Sequence, residues 1–87
     1  MELTVKVKMG DTPTMRDVAH AAAAMSAFES RVLLRQGDIT VNAKSLMGLL
    51  SLGIQNDMGV TIIAHGADEA QAVCEMSRLL RGEGASS

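Results

Sequence analysis

Few side chains in this sequence have chemistry of their own. His20, His65, Cys74, Thr14 and Ser45 are the candidates, with Arg16 and Asp17 as charged neighbours of one of them. A histidine can carry a phosphoryl group, act as a base or ligate a metal, but each task needs a partner within reach. His65 closes an apolar run with no second His or Cys at ligand spacing, and it reads as structural. His20 falls six residues past Thr14, within an alanine-rich segment, and reads as a solvated or core-edge residue. Cys74 sits between Val73 and Met76 without an activating cation, which makes it a packing residue. Thr14 and Ser45 differ from these three, because each stands just before a helix-forming run. Thr14 followed by Asp17 has the capping-box spacing: a hydroxyl for the free N–H groups and an acid in the first turn. Ser45 stands before Leu46 to Leu52, where a serine is a natural N-cap. A hydroxyl so placed is also a position where a phosphate of about -1.5 to -2 charges is favoured by the amides and the helix dipole.

The elements that must position these residues follow from periodicity. Leu3, Val5, Val7 and Met9 alternate with Glu2, Thr4, Lys6 and Lys8, which predicts a strand with one face on a core. Gly10 to Pro13 breaks it. Met15, Val18, Ala22 and Met25 then recur at helical spacing through to about Ala27. Arg31–Gln36 and Ile39–Ala43 flank Gly37-Asp38, a tight-turn dipeptide, and should pair as an antiparallel hairpin. A short apolar helix, Leu46 to Leu52, stops at Gly53. Met58 to His65 is a fourth strand. Asp68 and Glu69 begin, and Arg78 and Arg81 end, a last helix with Ala70, Val73, Met76, Leu79 and Leu80 on its apolar side, charges that suit the macrodipole. The expected fold is α+β, an open-faced sandwich of four antiparallel strands covered on one face by three helices, in the order β-α-β-β-α-β-α. Residues 1–81 form one domain, and 82–87, small and polar, form a frayed tail.

Composition restricts what such a domain does. With 87 residues the chain buries roughly 60% of its unfolded surface, too little for a deep cleft between domains, so function belongs on the outside. Eight basic and ten acidic residues give a net charge of -2 with no basic block, and one Phe with no Trp or Tyr supplies no base-stacking platform, which excludes direct nucleic-acid binding. One cysteine makes no internal disulfide, and no Cys/His cluster has metal spacing, so neither a structural zinc nor a cofactor is expected. No apolar run approaches the roughly 20 residues of a membrane span, and the alternation in Met1 to Met9 is not that of a signal peptide. A cytoplasmic protein is expected. Leu46, Met47, Leu49, Leu50, Leu52 and Ile54 are more apolar side chains than a two-turn helix can hide, so part of them should form an exposed patch suited to a partner.

Asn42-Ala43-Lys44-Ser45-Leu46-Met47-Gly48-Leu49-Leu50-Ser51-Leu52-Gly53-Ile54 resembles the regulatory-serine segment of HPr, the small phosphocarrier of the bacterial sugar phosphotransferase system, and of its relative Crh. Gly66-Ala67-Asp68-Glu69 is similar to the start of that family's last helix, and the resemblance runs over nearly the whole chain. It implies the HPr fold, and a protein that acts by contact rather than as an enzyme. It also implies that Ser45 matches the serine modified by HPr kinase/phosphorylase, after which the family binds the CcpA repressor. Leu46, Met47 and Leu50 match the patch that docks CcpA and Enzyme I, and Arg16 matches the active-site arginine. The phosphoacceptor histidine of the Gly-x-His-x-Arg-Pro loop is replaced by Thr14, and its proline by Asp17. A threonine phosphoester is too stable to pass its phosphoryl onward, and Asp17 would repel a second anion at that helix start. The expectation is therefore a Crh-like regulatory module switched at Ser45. Two alternatives stand beside it: a relay through His20 or Thr14 with Enzyme I, and an assembly module that forms a homodimer through the patch or by exchange of the first strand. Ser51 is the alternative modified serine.

Overall fold

Alternating apolar residues place four strands on one sheet, and a computed structural model of the protein describes residues 1–10 and 13–82 of it. Among these residues the elements are β1 (Glu2–Lys6), α1 (Met15–Ser26), β2 (Arg31–Gln36), β3 (Ile39–Asn42), α2 (Leu46–Leu52), β4 (Gly59–His65) and α3 (Glu69–Leu80). This is the expected order. The sheet runs β1-β4-β2-β3 with every neighbouring pair antiparallel. Val5 lies opposite Val60, and Leu34 lies between Ile62 and Val41. Val5, Val32, Leu34, Val60, Ile62 and Ala64 therefore project from one face into the core, while Glu2, Thr4, Lys6, Arg31 and Arg35 stay in water on the other. α3 packs over β1, β4 and β2, α2 covers β3, and α1 lies against both helices. Met25, Leu49, Met76 and Leu80 are fully buried beneath this layer. Burying each such side chain contributes about 1.5–3 kcal/mol.

Several expectations are corrected by the packing. β1 ends at Lys6: Val7 still meets the chain before β4, donating to the Met58 carbonyl and accepting from the Asp57 N–H, but Lys8 donates to Leu80 instead, which draws the chain out of the ladder. Leu3 has the inward phase yet is 41% exposed, since an edge strand has neighbours on one side only. Met15, expected on the core side of α1, is 64% exposed. In α3 the buried stripe is Ala72, Val73, Met76, Ser77 and Leu80, so Ala70 lies outside it and Leu79 is half-buried. Ser77 takes a core position, and its hydroxyl has no hydrogen-bond partner among the described residues, a cost of about 1–3 kcal/mol. Cys74 is exposed rather than packed. Gly53 ends α2 as expected, in the left-handed conformation at φ 68° that a side chain would resist. The tail expected over 82–87 lies outside the described residues except for Gly82, which is packed: a Cβ there would come within 2.5 Å of the Lys8 carbonyl oxygen.

Candidate functional site at two helix starts

Thr14 precedes α1 in an extended conformation, φ -102° and ψ 170°, which turns its side chain back over the first turn. The Asp17 N–H donates to Thr14 Oγ1 at 3.3 Å. In return Asp17 Oδ2 accepts from the Thr14 N–H at 2.9 Å and from the Thr14 hydroxyl at 3.1 Å. The capping box is complete, and the hydroxyl is engaged as both donor and acceptor. A carboxylate already sits at the positive end of this helix, so the chemistry open to a free helix start, holding another anion, is opposed by like charge. Asp17 spends its contacts on Thr14 rather than on Arg16, whose exposed guanidinium makes no ion pair among the described residues.

α2 begins differently. The Asn42 side chain accepts from the Lys44 N–H at 2.9 Å, and the Asn42 carbonyl accepts from the Ser45 N–H at 3.0 Å, forming a local turn that delivers Ser45 to the helix start. Ser45 Oγ accepts from the Gly48 N–H at 3.1 Å. No acidic residue occupies the first turn. The half-buried Ser45 hydroxyl therefore meets an amide on one side, with a cationic residue, Lys44, directly before it in the chain. The Lys44 ammonium donates to the Phe28 carbonyl oxygen at 2.7 Å.

The apolar patch divides as the surplus of apolar residues required, though not along the expected residues. Leu49, Leu52 and Ile54 are buried, Met47 is 72% exposed and Leu50 is 37% exposed. Leu46 was expected in the patch but is half-buried against the core. Met15 adds an exposed apolar side chain on α1, the helix that packs against α2. Its place in the first helical turn, a turn before the first buried residue Val18, was the signal that the helical phase obscured. His20 is exposed in the middle of α1 and His65 is exposed at the end of β4, so neither joins this site. Among the described residues no group of three His, Cys, Asp or Glu side chains could hold a metal, and no helix is long and apolar enough to cross a membrane.

The third helix start does not cap at all. Asp68 occupies the N-cap position of α3 without a side-chain cap bond. Its carboxylate instead accepts from the Glu29 and Ser30 N–H groups, both at 2.9 Å, and from the Ser30 hydroxyl. The Ser30 hydroxyl and the two amides pull the Asp68 carboxyl down to about 2.

Against this geometry, a family model described as the PTS HPr component phosphorylation site matches residues 1–82. The chain belongs to the HPr family. Solved HPr and Crh structures share its fold. HPr-C-His from Thermoanaerobacter tengcongensis is 29% identical, with 100% of this chain and 98% of that chain covered at a TM-score of 0.89. The phosphocarrier protein HPr from Bacillus anthracis is 26% identical over 92% of this chain and 95% of that one, at 0.87. Crh from Bacillus subtilis is 33% identical over 91% of this chain and 86% of that one, at 0.76, and was solved as an intertwined dimer with a swapped domain. As an HPr-family member, the protein is of the phosphocarrier type of the phosphotransferase system and not an enzyme.

Proposed function

We propose that this HPr-family protein is a regulatory member that works by protein contact, switched by phosphorylation of Ser45, and that it does not carry phosphoryl at the start of α1. The observation that supports this reading most directly is the contrast in occupancy: one carboxylate oxygen of Asp17 takes both the N–H and the hydroxyl of Thr14, whereas Ser45 Oγ accepts from a single amide. Phosphorylation by an HPr kinase/phosphorylase transfers the terminal phosphoryl of ATP to Ser45 Oγ, releasing the hydroxyl proton and ADP. The product is a stable ester, suited to signalling and unsuited to relay. A CcpA-like repressor or another regulatory protein then reads the charge together with Met47, Leu50 and the half-buried Leu46, while the exposed Arg16 pairs with an acid on the partner. Enzyme I would meet the same surface without an acceptor to modify.

The test is paired. Incubation with Enzyme I and phosphoenolpyruvate should give no acid-labile adduct by intact mass, and incubation with HPr kinase and ATP should give an acid-stable adduct of one phosphoryl that is lost in Ser45→Ala. An acid-labile adduct in the first reaction would overturn the reading and favour relay through His20, and an acid-stable adduct there would overturn it in favour of Thr14 as acceptor. A second reading, a homodimeric assembly module, is favoured by the dimeric Crh relatives and by β1 lying at the sheet edge, bonded only to β4. It predicts a dimer in sedimentation experiments whether or not Ser45 is modified.

A further inference from the structure

The Ala27–Ser30 segment between α1 and β2 is tied to α1 by the Ala27 and Phe28 N–H groups, which donate to the Ala24 and Met25 carbonyls, and is held from elsewhere in the chain by two side chains. At one end Asp68 accepts from Glu29 and Ser30, three charge-assisted bonds on a single carboxylate. At the other end the Lys44 ammonium, from sixteen residues along the chain, holds the Phe28 carbonyl oxygen at 2.7 Å. The second acceptor is neutral, and Lys44 is the residue directly before Ser45. The Phe28 ring is half-buried against the core and forms one wall of a shallow, mostly apolar groove whose other wall is α3, through Ala70, Cys74 and Arg78.

We propose that Lys44 is a two-position switch: its ammonium holds the Phe28 carbonyl while Ser45 is unmodified and transfers to the phosphate when Ser45 is phosphorylated, freeing Phe28 and reshaping the groove beside α3. The proposal rests on the reading that Ser45 is phosphorylated. A phosphoserine on the adjacent residue presents about -1.5 to -2 charges and three acceptor oxygens, against the partial charge of one carbonyl. The ammonium's bond to the Phe28 carbonyl is already charge-assisted, but a phosphate adds full charge–charge attraction that a neutral carbonyl lacks, and the flexible four-carbon stem of a lysine lets the ammonium change acceptors. No carboxylate in the first turn of α2 competes for it. Asp68 keeps the Ser30 end fixed, so the change is confined to Phe28 and the groove it walls. The Ser45 surface and the α3 groove are then coupled, and whatever binds in the groove alters the energetics of the modified serine by the same factor as the reverse.

The composition supplies the probe. Phe28 is the chain's single aromatic carbocycle, so its ring protons share the aromatic spectrum with two imidazoles alone. Four forms are compared by NMR: the wild type, the protein with phosphoserine installed at position 45 during translation, Lys44→Met, and the two changes together. Phosphoserine and Lys44→Met should each shift the Phe28 ring protons and carbonyl carbon, in the same direction, and phosphoserine added to Lys44→Met should shift them no further. The switch is overturned if phosphoserine leaves Phe28 unmoved in the wild-type background, or moves it equally with and without Lys44. Lys44→Gln, which also removes the charge, takes the place of Lys44→Met if a thermal melt shows that variant unfolded. Because the phosphoserine is installed directly, failure of the kinase to modify Ser45 overturns the functional reading and leaves this test standing.

Discussion

Thr14 and Ser45 cap their helices in the same way, each accepting from the third helical amide, at 3.3 and 3.1 Å. The residues that carry those amides are Asp17 and Gly48. With an acid at that position, the start of α1 closes on itself, and its positive end already faces a negative charge. With glycine there and Lys44 before the cap, the start of α2 keeps its hydroxyl on one bond and its electrostatics open to an anion. The two starts show that a hydroxyl cap does not by itself decide whether a helix start is closed to a further anion. The side chain three residues on does, because it either returns to the cap or leaves it free.

The comparison can be attacked through each of its parts, beginning with what holds α2 in place. Seven residues are too few for a helix to stand alone, so its position rests on packing. Leu49→Ala should cost about 2–5 kcal/mol in denaturant unfolding. A loss below about 1 kcal/mol would mean that the cap, rather than the core, fixes the helix carrying Ser45. Next come the caps. Thr14→Ala should cost about 1–2 kcal/mol and Ser45→Ala less, since only the first also removes a contact to a returning carboxylate. The reverse order would break the distinction drawn here.

The third helix start sharpens the contrast in acid. Asp68 has a folded pKa of about 2, below the unfolded carboxylate value of about 3.9, so its contribution is present above about pH 4 and is lost as pH falls toward 2. Asp68→Asn should flatten the loss of stability across that window while lowering stability at neutral pH. An unchanged acid profile would show that the Ser30 contact is not what depresses the carboxyl. The smallest effect belongs to the patch: Met47→Glu should move stability by no more than about 0.5 kcal/mol while weakening partner binding. A large loss of stability would place Met47 on the inner face.

Most of the architecture was legible in local signals. The alternation in Val5, Val32, Leu34, Val60 and Ile62, the Gly37-Asp38 turn, both hydroxyl caps and the Gly53 stop each depend on residues a few positions apart, so a single chain displays them. The departures from local pattern share a cause. Leu3, Met15 and Ala70 have inward phases but remain exposed at the margins of the layers, and Ser77 lies in the core because the sheet beneath α3 sets which stripe is buried. Asp68 has the sequence position of a helix-start acid, yet the Ser30 loop approaches closely enough to claim it. Cys74 has the apolar sequence neighbours of a packing residue, whereas in space it faces the groove beside Phe28.

By itself the sequence determined the order of the elements, the two capping positions and the absence of histidine from the first of them, because backbone hydrogen bonding and hydrophobic period are local properties. Only the tertiary structure decided which methionines and leucines remain in water, that Leu46 lies half inside while Met15 lies outside, and that Lys44 reaches Phe28. Those outcomes depend on which surfaces the sheet brings together from distant parts of the chain, and burial is a property of the assembled layers rather than of any residue's place in the sequence.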